Sequence, residues 1–92
     1  MRVFWTDLAE AQLRAIQATL AETSPQYANR TVDRITARTQ QLSAFPKSGS
    51  VLQAAAPLEI RMLVEQPYRI LYIVGADHVD ILGVVHASRA LF

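Results

Sequence analysis

Apolar residues recur along this chain in two rhythms, at steps of three and four in its first half and at steps of two in its second. Arg2 to Trp5 is a short β-prone piece. Thr6 follows in the position of a helix N-cap, with Asp7 and Glu10 set against the positive end of the helix dipole. A first helix is therefore expected from about Asp7, with Ala9, Leu13, Ile16 and Leu20 as its apolar stripe and Trp5 as a staple packed onto it. Ser24-Pro25 interrupts that helix and starts another, because a serine cap with proline in the first turn sacrifices only an N–H that has no helical partner there. The second helix is predicted from Pro25 to about Ser43. Its inner face is Ala28, Thr31 or Val32, Ile35, Thr39 and Leu42, and Arg30, Arg34 and Arg38 stack on another face.

Phe45-Pro46-Lys47-Ser48-Gly49-Ser50 then breaks helical geometry, and the chain beyond it reads as sheet. Val51-Leu52-Gln53 suits a short edge strand, and Leu58 to Glu65 alternates Leu58, Ile60, Met62 and Val64 with polar neighbours. After the Gln66-Pro67 turn, Tyr68 to Val74 and Val79 to Val85 form a hairpin through Gly75-Ala76-Asp77-His78. The expected fold is α+β: a short N-terminal strand, an αα-hairpin, then an antiparallel β-meander with the helices packed on one face of the sheet. One domain spanning residues 1–92 is expected from a chain of this length.

That architecture leaves a face to cover. The last two strands are apolar on both sides, and two helices cover one side of such a sheet. A partner protein, or self-cover by the loop at residues 44 to 57 and by Ala90-Leu91-Phe92, would hide the other, because contiguous exposed apolar area marks an interaction surface. The candidate partner-binding residues are Leu71, Ile73, Leu82, Val84, Leu91 and Phe92.

Composition narrows the function classes. Nine basic residues against eight acidic ones leave a formal charge of +1, without the strong field of a protein that holds duplex DNA electrostatically. The chain has no cysteine, which removes disulfides, thiolate ligands and a cysteine nucleophile together. No apolar run approaches membrane-spanning length, no signal segment opens the chain, and a cytoplasmic location without membrane contact is the default. The two histidines with no carboxylate motif fall short of a metal-ligand set, and no glycine-rich phosphate loop or paired-carboxylate signal is present, so neither cofactor nor metal is expected.

Simple alternation from a Val74–Val79 pair places Arg69, Leu71, Ile73, Asp80, Leu82, Val84 and His86 on one face. Arg69 beside His86 would then suit oxyanion recognition or acid–base chemistry, or alternatively Arg69 is an ordinary ion-paired residue and His86 orders the C-terminal segment by hydrogen bonding. His78 reads as a solvated turn residue and Tyr72 as a core aromatic.

Taken in order, Ser24-Pro25 with Ala28, Phe45-Pro46-x-x-Gly49, Leu58-x-x-Arg61, Tyr68-Arg69-Ile70-Leu71-Tyr72 and Val85-His86-x-x-Arg89 resemble the RelE/ParE toxins of type II toxin–antitoxin systems. The resemblance spans nearly the whole chain and implies a partner, a cognate antitoxin that forms a hetero-oligomer with the toxin and lays a helix or strand over it. RelE-like members cut messenger RNA on the ribosome without a metal; ParE-like members poison DNA gyrase. For a nuclease the resemblance offers Arg61, Arg69, His86 and Arg89. The strand before Arg69 lacks the lysines of RelE-like enzymes, however, and the sequence stops at Phe92 without their terminal tyrosine. The Ser24-Pro25 break, Leu58-x-x-Arg61 and His86-x-x-Arg89 look more like ParE, which implies a gyrase poison without chemistry of its own. A metal-independent ribonuclease and a non-toxic module that only binds an antitoxin are the alternatives.

Overall fold

The computed structural model describes residues 1–55 and 58–89. Strand β1 (Arg2–Trp5) leads into helix α1 (Asp7–Ala21), then helix α2 (Pro25–Gln40) and a short 3-10 turn, Gln41–Ser43. Four strands follow: β2 (Ser50–Ala55), β3 (Leu58–Glu65), β4 (Tyr68–Val74) and β5 (His78–His86). With β1 they form one five-stranded sheet in the order β1-β5-β4-β3-β2. The meander from β2 to β5 is antiparallel, and β1 joins its edge parallel to β5. The α+β architecture is therefore the expected one. The parallel edge makes the sheet mixed, since the helix pair carries the chain from one sheet edge back toward the other.

Both helices start where the caps predict. The Thr6 hydroxyl accepts the Ala9 N–H at 3.2 Å and donates to the Ile81 carbonyl at 2.7 Å, so one side chain both caps α1 and ties it to β5. The Ser24 hydroxyl accepts the Tyr27 N–H at 3.2 Å, with Pro25 in the first turn. Ala9 of α1 and Ile35 of α2, with Leu42 from the turn, meet Leu63, Tyr68, Ile70, Tyr72, Val79, Ile81 and Val84 of the sheet in one core. Each large side chain withdrawn there from water contributes about 1.5–3 kcal/mol. Thr31 rather than Val32 takes the inward position of α2.

Two expectations change. β2 extends through Ala54 and Ala55, beyond the three residues anticipated. Arg38 leaves the solvated stripe: its guanidinium lies 3.7 Å from the Glu65 carboxylate and donates to the Val64 carbonyl, pinning α2 to β3. Among the described residues no helix is long and apolar enough to cross a membrane.

Candidate functional site

The β4–β5 ladder decides which side chains meet. Val74 does pair with Val79, but the register shifts between Leu71 and Tyr72, where Leu71 faces Gly83 and Tyr72 faces Ile81. Leu82 is the extra residue of a β-bulge. Beyond it the alternation of β5 is reversed. Val84 pairs with Ile70 and His86 with Tyr68, both on the helix side, while Arg69 pairs with Val85 on the other. The predicted neighbourhood of Arg69 and His86 is thus corrected: they occupy opposite faces of the sheet. Val84 is corrected with them, since it is 2% exposed in the core and is no surface residue.

The bulge is held from α1. Gln12 reaches across with its side-chain carbonyl and accepts the Val84 N–H at 2.9 Å, supplying a partner that the irregular ladder does not. Gly83 leaves room for that reach, because a Cβ built on it would stand 2.9 Å from Gln12 Oε1.

On the face away from the helices, the pairs Ile60–Ile73, Met62–Leu71 and Val64–Arg69 place Ile60, Met62, Val64, Leu71 and Ile73 side by side. Leu82 continues the patch, and Phe4 extends it along β1 through its pairing with Asp80. Val64 is 44% and Phe4 47% exposed; the remainder are half-buried by one another. No helix of the described residues lies over them. Leu71, Ile73 and Leu82 therefore lie on the face away from the helices, whereas Leu91 and Phe92 lie outside the described residues.

On the helix side, a cleft of about 220 Å³ opens between α1 and the end of β5, lined in part by Gln12, Ile16, Tyr68, His86 and Arg89. The His86 ring stands edge-on to Tyr68, with centroids 5.7 Å apart. Its Nδ1 accepts the Ser88 N–H at 3.1 Å and lies 2.8 Å from the Ser88 hydroxyl. Burial pushes the Tyr68 phenol above its ordinary range, so it stays protonated. Gln12 and Tyr68 were not anticipated here; the glycine inside β5 was the available signal of a bulge.

Arg61, by contrast, is a brace. Its side chain, 14% exposed, pairs with Glu59 at 2.7 Å and donates to the Gly49 and Lys47 carbonyls at 2.7 and 3.1 Å. Gly49 in turn donates its N–H to the buried Tyr72 hydroxyl at 2.9 Å. His78 opens β5, with its side chain 37% exposed to solvent. Its two ring nitrogens lie 2.8 Å from Asp77 and 3.1 Å from Asp80, and its ring meets Phe4 edge-on. The Asp77 and then the Asp80 hydrogen bonds raise the imidazole above its ordinary 6.5. Among the described residues no three His, Asp or Glu side chains gather as a metal site requires.

The sequence matches the family model described as ParE toxin of type II toxin-antitoxin system, parDE, over residues 3–91. It is 34% identical over 88 residues to a Caulobacter vibrioides protein named Toxin RelE2, covering 96% of this chain and 97% of that protein. Its fold is similar to a solved chain of the chromosomal ParDE TA system from P. aeruginosa, with a TM-score of 0.75 at 20% identity over 94% of this chain and 95% of that one.

Proposed function

The chain belongs to the ParE toxin family of type II toxin–antitoxin systems, and from that premise we propose that it acts in the cytoplasm by binding, as a gyrase poison, and is neutralised by an antitoxin. The separation of Arg69 from His86 by the bulge carries this reading. Cleaving a phosphodiester through the 2′-hydroxyl asks for a base, an acid and cations around one phosphate. Here Arg69 and His86 face opposite ways, Arg61 is engaged by Glu59 and two carbonyls, and Arg89 alone of the candidate cations lines the cleft with His86. The apolar face beside Arg69 suits a protein partner instead, and the antitoxin is the occupant that the family supplies.

A gyrase assay tests the proposal directly. Purified protein added to gyrase and supercoiled DNA is expected to accumulate cleaved DNA complexes; none at any ratio would refute the gyrase target. Induced expression should give filamentous cells rather than rapid translation arrest with cut messages. The second outcome would favour a ribosome-dependent nuclease, the reading that similarity to Toxin RelE2 keeps in view. Antitoxin docking is tested separately. Leu71→Glu with Ile73→Glu places two charges on the exposed patch and should abolish the antitoxin complex with the fold retained. A complex of unchanged affinity would move the docking site elsewhere.

A further inference from the structure

The cleft between α1 and β5 lies on the side of the sheet opposite the proposed antitoxin patch, and its chemistry is one-sided. Among the described residues that line it, none is acidic, although acids and bases are nearly balanced over the whole chain. Each of its polar side chains can donate a hydrogen bond. Ser88 gives its N–H to His86 Nδ1, so the neutral ring carries its proton on Nε2, which has no partner among the described residues. Gln12 spends its carbonyl on Val84, which leaves its carboxamide N–H groups as what it can offer the cleft. The Tyr68 hydroxyl remains a donor, and Arg89 adds a guanidinium with five. Ala15 and Ile16 lie among these donors as apolar wall.

We propose that this cleft receives an acidic side chain, Glu or Asp, from a partner polypeptide. A carboxylate supplies the acceptors that the donors lack, and the arginine fork matches its planar pair of oxygens. The methylene stem of such a side chain has Ala15 and Ile16 to lie against. A nucleic-acid phosphate brings a polar sugar that gains nothing from that wall, and Tyr68, 7% exposed, offers no open ring face for base stacking.

The test uses the isotope-labelled protein and direct binding measured by nuclear magnetic resonance at low salt. Four probes are compared: the capped tripeptide acetyl-Leu-Glu-Leu-amide, its glutamine counterpart, inorganic phosphate and a short oligouridylate. The glutamate peptide is expected to shift the Gln12 carboxamide, the Val84 amide and the His86 ring signals, with at least tenfold tighter binding than the glutamine peptide. Arg89→Gln, at an exposed position, should remove that preference, as should His86→Gln; Arg14→Gln, elsewhere on α1, should not. Equal binding of the two peptides, no binding by either, or stronger response of these signals to phosphate or oligouridylate would overturn the proposal.

Discussion

If Gln12 and Gly83 form one device that holds the β5 bulge, their substitutions must be strongly non-additive. Gln12→Ala removes the acceptor of the Val84 N–H, a bond of 2.9 Å at a residue 2% exposed. A backbone donor left unsatisfied there costs about 1–3 kcal/mol, and the better helix propensity of alanine returns only about 0.4 kcal/mol. A loss of about 2 kcal/mol corresponds to roughly 8–16 °C in Tm for a domain of this size. Gly83→Ala acts through the same group: the added methyl would lie 2.9 Å from Gln12 Oε1, forcing that oxygen away from Val84. The three nearest atoms to that methyl all belong to Gln12, and Gly83 has no positive φ, so alanine meets no other obstacle. In the double variant the second substitution should therefore cost nothing further. It should even return about 0.4–1 kcal/mol by restricting the unfolded chain. Thermal or urea unfolding of the four proteins measures the coupling, expected at about 1–2 kcal/mol. Additivity within about 0.5 kcal/mol would show that Gln12 and Gly83 do not share a site and would refute the reasoning.

Tyr72→Phe should strand the buried Gly49 N–H and cost about 1–3 kcal/mol in urea unfolding; a change below about 0.3 kcal/mol would show that the loop finds another acceptor. Thr31→Val removes a fully buried hydroxyl that has no hydrogen-bond partner among the described residues, and should stabilise by about 1–2 kcal/mol, with any clear loss of Tm counting against it. His78 contributes stability that is fully present below the ordinary imidazole value of 6.5 and lost as pH rises through its elevated folded value. Asp77, held below its ordinary carboxylate value by the hydrogen bond to His78, contributes above 3.8 and loses that contribution as pH falls through its depressed value. Proton-resonance titration of the His78 ring should give a midpoint above 6.5, and one at or below that value would show that Asp77 and Asp80 do not hold the ring.

Much of the fold was legible because local signals were strong and mutually consistent. Thr6 and Ser24-Pro25 mark the two helix starts, and helical spacing identifies Ala9, Ala28, Ile35 and Leu42 as inward positions. The Val74–Val79 pairing of the hairpin was legible too, since apolar runs on both sides of Gly75 to His78 leave few registers. What periodicity does not carry is anything set by a contact distant in sequence. Arg38 appears with Arg30 and Arg34 on a helical stripe, yet Glu65 draws it onto the sheet. Arg61 reads as a free cation because the carbonyls that engage it belong to a loop twelve or more residues away.

The site was less legible for a sharper reason. Side chains alternate with a period of two, so one inserted residue moves everything beyond it to the other face. Leu82 is that residue, and it lies between Arg69 and His86 in the pairing scheme. Counting across the hairpin without it places the two side chains together and yields a small active site; counting with it places His86 against Tyr68 and Arg69 on the open face. Gly83 hinted at the bulge, but glycine in a strand also serves close backbone approach, and only the reach of Gln12 from α1 selects between the two. The choice between chemistry and binding therefore turns on a side chain seventy-two positions from the amide it holds.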